Sequence, residues 1–265
     1  MKNKFLIFSA ALILACSVGI CQKSGETSLE SQMDQLENYL ATADIVNVDK
    51  ETESGRTGGW DVVLEKDGVR HRARFKHVHK YRPHFLADSY QYEIAAYTLS
   101  RKLGLTIIPP LVSRQIDGID GSLQIFVENC TRESDFRQRD QAPLDAERFE
   151  QSKAIVTIFE FLAGDECQDD EDTLIQRESW KICRIDFSEA FDPEKSLGPE
   201  CKISRCSRHL YMRLKELTKD SLVDWLAVYL NQNEMDSLWN RRNQVILKLD
   251  ELIKTIGEEK VLFDY

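Results

Sequence analysis

Apolar positions along this chain follow two regimes. Up to residue 129 most of them alternate with polar neighbours, and beyond it they recur at helical spacing. Leu29, Met33, Leu36 and Leu40 open the first regime and predict an amphipathic helix over residues 28–42, with a short strand at 45–48 behind it. Residues 60–65 and 69–77 alternate on either side of Lys66-Asp67-Gly68, where Asp-Gly supplies the positive φ angles that a tight hairpin needs. Tyr92, Ala95, Ala96, Leu99 and Leu103 share one face of a helix over 90–103, which Gly104 stops. A second hairpin is predicted from 111–116 and 122–127, turning at 117–121. In the second regime, helices are predicted at 146–162, 209–217, 222–230 and 235–256, with a short apolar strand at 180–185 and a loop marked by Pro193 and Pro199. Strands followed by helices define an α+β chain with a boundary near Asn129.

The N-terminus speaks to location. Lys2 and Lys4 precede an uncharged, largely apolar run at 5–15, too short to span a bilayer but suited to a secretory signal peptide. The run ends Ile13-Leu14-Ala15-Cys16, which resembles the bacterial lipobox. That resemblance implies a signal peptide at 1–15, lipidation of Cys16 and a membrane anchor at the cell envelope, with Ser17 resembling the outer-membrane sorting signal of Gram-negative lipoproteins. Cleavage nearby without acylation gives a soluble secreted domain instead. Residues 16–27, polar with Gly and Ser, read as a tether.

The formal charge of −10 offers no general attraction for nucleic acid, so no nucleic-acid partner is expected. Beyond Cys16, six cysteines remain, and an even number in an exported chain permits disulfides. Cys201 and Cys206, flanking Lys-Ile-Ser-Arg, are the close pair expected to bridge. His77 and His79 share a strand face with His84 nearby, but no neighbouring cysteine or carboxylate completes a tetrahedral metal set.

Glu93-Ile94-Ala95-Ala96-Tyr97, Leu103-Gly104-Leu105, Ile108-Pro109-Pro110, Arg114 and Gly121-Ser122-Leu123-Gln124 occur in this order, followed by Ile185-Asp186-Phe187-Ser188-Glu189-Ala190-Phe191. The series resembles the atypical kinase group that includes phosphatidylinositol kinases, bacterial persistence-toxin kinases and secretory-pathway kinases. Arg241-Arg242 and Gly257-Glu258 extend the resemblance, which runs over residues 40–265. It implies a bilobal protein-kinase-like fold, with a β-rich N-lobe at 28–129 carrying one prominent helix and a mainly helical C-lobe at 130–265. ATP and Mg²⁺ are the cofactors it implies.

Phosphoryl transfer needs charge neutralisation more than covalent help, which is why cations dominate such sites. The resemblance places Lys76 on the nucleotide phosphates, with Glu93 orienting it. Gly58, with Gly55 and Gly59, would shape a loop over the phosphates; an ordinary turn explains them as well. Phe126 and Glu128 fall where such kinases join their lobes and hold adenine by backbone groups, or simply end a buried strand. Asp186 would bind Mg²⁺, or else cap its own turn.

The catalytic loop departs from the group's "NxDRxxxNxLI" pattern. Setting Leu174-Ile175 on its last two letters puts Asp165 on the first Asn, Cys167 on the catalytic Asp, Gln168 on the Arg and Asp172 on the metal-binding Asn. Asp172 can still offer oxygen to Mg²⁺, whereas a thiol is a poor substitute for the general base. Asp165 or Asp169 could stand in as base if the loop is rearranged; otherwise this is a solvated acidic loop. Two classes of function follow. One is a pseudokinase, binding nucleotide weakly or meeting an envelope protein partner. The other is an active kinase acting on an exported protein or small molecule.

Overall fold

The computed structural model describes residues 29–50, 58–80, 87–137, 143, 145–167, 170–177, 180–198 and 201–265. Helix α1 (Leu29–Thr42) turns Met33 and Leu40 inward and leads into β1 (Asp44–Asp49). Strands β2 (Trp60–Lys66) and β3 (Val69–Lys76) form a hairpin, and β4 (His79–Lys80) with β5 (Asp88–Ser89) a short ribbon. Helix α2 (Tyr90–Lys102) follows, then the hairpin of β6 (Leu111–Ile116) and β7 (Ile119–Ile125). The main sheet runs β1-β2-β3-β7-β6, each neighbouring pair antiparallel.

Both hairpins turn on two residues. Asp67 and Gly68 have φ of 52° and 76°, and Asp117 and Gly118 have 53° and 80°, the two left-handed positions of a type I′ turn. The second return strand therefore starts at Ile119, three residues earlier than the alternation suggests, because Asp117-Gly118 alone completes the turn.

Leu40 packs with Val62, Leu64, Ala73, Phe75 and Leu123 in a small core between α1 and the sheet. Arg114 on β6 fastens this layer by donating to the Leu40 and Ala43 carbonyls at 2.6 and 2.7 Å, satisfying acceptors at the end of α1. Each large apolar side chain buried in this way contributes about 1.5–3 kcal/mol.

The second half comprises β8 (Cys130–Arg132), α3 (Glu133–Arg137), α4 (Ala146–Ala163), β9 (Thr173–Gln176), β10 (Ile182–Arg184) and β11 (Cys206–Ser207). Helices α5 (Arg208–Glu216), α6 (Lys219–Leu226), α7 (Gln232–Ile256) and α8 (Glu258–Val261) come next, and β12 (Leu262–Phe263) pairs in parallel with β11. Strands β10-β9-β8 form a three-stranded antiparallel sheet. Among the described residues, no helix is long and apolar enough to cross a membrane.

A larger core joins α2 to the helical half. Tyr92, Ala95 and Leu99 of α2 share it with Phe159 and Phe161 of α4 and Leu238 and Val245 of α7. Helix α2 therefore belongs to both halves: in sequence it lies between strands of the sheet, and in space it packs against the helices. The signal segment, the tether and Cys16 lie outside the described residues.

Candidate functional site

A cleft of about 1190 Å³ opens between the two halves, lined by Lys76, Phe126, Asp165, Cys167, Asp172 and Asp186 among others. Lys76 is the last residue of β3, so its side chain leaves the sheet at the cleft edge. Its ammonium donates to Glu93 Oε1 at 2.5 Å and lies 2.8 Å from Asp186 Oδ1. Ser89 caps α2 by accepting from the Gln91 amide at 3.1 Å, and Glu93 sits in the first turn, where the helix dipole favours a carboxylate.

Asp186 has φ 60°, a left-handed conformation that aspartate tolerates better than most residues. Its Oδ1 accepts from the Ser188 hydroxyl at 3.0 Å. The Ser188 carbonyl in turn accepts from the Ser89 amide at 2.8 Å, locking this turn to the start of α2.

The electrostatics follow from one ammonium shared by two carboxylates. Burial opposes the charge on Lys76, but Glu93 and then Asp186 outweigh it and hold the ammonium above the ordinary lysine range. Burial also opposes ionisation of Asp186; Lys76 and the Ser188 hydrogen bonds prevail and bring it down to about 2. Glu93, more deeply buried, is pushed up by desolvation even with Lys76 beside it. The trio carries one surplus negative charge when ionised, which suits the approach of a further cation.

The loop after α4 is held differently. Gly164 ends α4 at φ 65°, and a Cβ there would lie 2.7 Å from the Arg241 guanidinium carbon. Arg241 is buried and donates to the Leu162 and Asp192 carbonyls at 3.1 and 2.8 Å, which accounts for one of the two C-terminal arginines. Its neighbour Arg242 donates to the Leu214, Lys215 and Leu217 carbonyls at the end of α5.

Arg184 is the residue the sequence reading passed over, hidden as a lone charge in an apolar strand. It is 1% exposed, 3.0 Å from both Glu160 and Asp165, and 3.8 Å from Asp172. Asp165 and Asp172, read as base and metal ligand, thus share one buried guanidinium. Asp169 and Gln168 lie outside the described residues.

Cys167 forms a disulfide with Cys201, their Cα atoms 5.3 Å apart, within the reach such a bond requires. The expected Cys201–Cys206 bridge is therefore wrong. Cys206 is a free thiol, fully buried in β11, and desolvation pushes it up to about 12.

The remaining expectations separate. Phe126 lines the cleft, but its amide donates to the Arg72 carbonyl at 2.9 Å. Gly58, at φ 44°, and the exposed Glu128 are not among the cleft-lining residues. His77 packs against Trp60 with ring centroids 4.7 Å apart, and His79 meets the Ser89 hydroxyl at 2.7 Å, so the two histidines serve different neighbours.

Among the described residues, no three His, Cys, Asp or Glu side chains converge on one point. Mg²⁺ asks for less: one or two carboxylates, completed by phosphate oxygens and water. Asp186 and Asp172, both hard oxygen donors, line the same cleft.

No family model and no curated protein sequence matches the chain. Solved structures do. The Golgi casein kinase aligns at 15% identity with a TM-score of 0.62, over 88% of this chain and 79% of that one. Hydra Fam20, solved with sugar, aligns at 15% identity with a TM-score of 0.66, over 88% and 92%. The architecture is thus a kinase-like α+β fold, and the chain is a kinase-like protein by fold.

Proposed function

We propose that this protein is a pseudokinase of the cell envelope: it binds the phosphates of a nucleotide with a divalent metal and does not transfer them. The observation that carries the reading is the contrast between two halves of one cleft. Lys76, Glu93 and Asp186 form a connected set suited to phosphate and metal. The loop opposite has its would-be base position in a disulfide and Asp165, the substitute base, on Arg184.

Lys76 would neutralise phosphate oxygens, with Glu93 holding it in place. Asp186 and Asp172 would hold Mg²⁺, which supplies charge neutralisation at the phosphates when bound. A base needs a free lone pair within reach of a hydroxyl. The lone pairs of disulfide sulfur have almost no basicity, and a carboxylate facing a buried guanidinium is a weakened acceptor of protons. The outcome is binding without turnover, which suits a protein that presents its surface to an envelope partner. Export and anchoring through an acylated Cys16 complete the reading and rest on the lipobox-like segment alone.

Calorimetry of the full chain with ATP and Mg²⁺ tests it. Binding that is lost in Lys76→Ala and in Asp186→Ala, with no phosphotransfer to the protein itself or to a generic acceptor, is expected. Phosphotransfer by the unmodified protein that disappears in Asp186→Ala would overturn the pseudokinase reading. Incorporation of a fatty-acid analogue that survives Cys16→Ala would overturn the anchor.

A further inference from the structure

The Asp186 carboxylate is held by one of its two oxygens. Oδ1 takes the Lys76 ammonium at 2.8 Å, the Ser188 hydroxyl at 3.0 Å and the Ser188 amide at 3.4 Å. Among the described residues, no donor reaches Oδ2, although the side chain is only 32% exposed and lines the cleft. A carboxylate has about four lone-pair positions, so three donors could have been shared between the two oxygens. Here one oxygen is tied to the protein and the other is left to a ligand.

Ser188 is itself fixed by contacts that do not involve its hydroxyl. Its carbonyl accepts from the Ser89 amide at 2.8 Å, at the cap of α2, and the Phe187 amide before it hydrogen-bonds the Glu93 carboxylate. The Phe187 ring is buried edge-on to Phe159, their centroids 5.6 Å apart, and Ser188 is buried as well. The hydroxyl thus meets Asp186 from a backbone that α2 and the core hold in place. Lys76 is a different kind of neighbour, because its ammonium rides on a flexible stem and phosphate oxygens compete for it. When Lys76 turns to phosphate, the Ser188 hydroxyl is the closer of the two donors that stay on Oδ1.

We infer that Ser188 is a positioning residue for the metal: its hydroxyl pins Asp186 by Oδ1 and presents Oδ2 as a single-oxygen ligand, which favours Mg²⁺ over Ca²⁺. Mg²⁺ is small and demands a near-ideal octahedron, and the two oxygens of one carboxylate span too narrow an angle for it. Ca²⁺ is larger, tolerates irregular geometry and takes both oxygens of a carboxylate. Hydrogen bonds from outside the coordination sphere orient a ligating carboxylate and are worth about 10–100-fold in metal affinity. The inference rests on the metal–phosphate reading above.

Calorimetric titration of the full chain with ATP, over a series of free Mg²⁺ and separately of free Ca²⁺ concentrations, tests it. The wild type is expected to bind Mg²⁺ more tightly than Ca²⁺. Ser188→Ala removes the hydroxyl alone, because the other bonds of this residue are made by its main chain. Its Mg²⁺ affinity is expected to fall by about tenfold or more. Its Ca²⁺ affinity is expected to fall by less than about threefold, since a carboxylate free to turn still offers both oxygens to the larger ion. Ser188→Thr, which keeps a hydroxyl, is expected to restore the Mg²⁺ preference. Melting curves establish that each variant is folded, and if Ser188→Ala is not, the wild-type preference decides alone. Equal losses with both metals mark a merely structural hydroxyl and overturn the inference, as do an unchanged Mg²⁺ affinity or a wild type without preference; all three leave the phosphate site standing. ATP binding that Asp186→Ala leaves untouched, or no ATP binding with either metal, overturns the metal–phosphate reading and the inference with it.

Discussion

Replacing Arg184 by methionine gives the sharpest test of how the loop is held. The guanidinium is 1% exposed, Glu160 is 0% and Asp165 is 10%, with both contacts at 3.0 Å. Methionine keeps the volume and removes the cation. Taking one partner out of a buried ion pair costs about 3–5 kcal/mol, because the acids left behind stay desolvated. Whole domains are stable by only about 5–15 kcal/mol, so the variant should sit near the edge of unfolding. With a urea slope of about 3 kcal/mol per M, the midpoint should fall by more than about 1 M. Tryptophan fluorescence in urea under non-reducing conditions reads this directly. The control is the double variant Glu160→Leu, Arg184→Met, which removes both charges and should be less destabilised than the sum of its singles by about 1–3 kcal/mol. A cost below about 1 kcal/mol for the single variant, or strict additivity in the double, would refute the claim that Arg184 is the cation that organises the loop.

Three further predictions follow from the same geometry. Asp186 is held at about 2 against an ordinary 3.8, so its contribution is present above pH 3.8 and is lost as pH falls toward 2. The stability gap between wild type and Asp186→Asn should therefore close over that window in urea titrations, and a constant gap would contradict it. Gly164→Ala should cost about 1–2 kcal/mol for the left-handed backbone plus the displacement of Arg241, whereas Gly118→Ala, with open space around it, should cost the backbone share alone; equal melting-point losses would contradict this. Cys201→Ser opens a loop closed across 34 positions and should cost about 3–4 kcal/mol by loop-closure entropy, a difference that a reductant should erase.

Much of the frame was legible because it is written in local signals. The Asp-Gly turns, the apolar face of α2 and its Gly104 stop placed β2, β3, β6, β7 and α2 within a few residues of where they fold. Lys76 and Asp186 were singled out by the resemblance to kinase motifs; Lys76 ends β3, and Asp186 lies two residues beyond β10. What the sequence hid was pairing at a distance. Nothing near Cys167 announces Cys201, and the short gap between Cys201 and Cys206 suggested a bridge that the Cys167–Cys201 bond rules out. Arg184 was masked by its apolar neighbours, since a single buried charge leaves the strand pattern intact.

The first two residues at the start of α2 are held from opposite sides. The Ser89 amide donates to Ser188 in the helical half, and the Tyr90 amide donates to Val78 just beyond β3, each at 2.8 Å. Parting the helical half from the start of α2 would break the Ser89–Ser188 bond, and parting the end of the β3 segment from it would break the Tyr90–Val78 bond. Amide exchange at Ser89 should be correspondingly slow, tracking separation of the halves and not fraying of the helix.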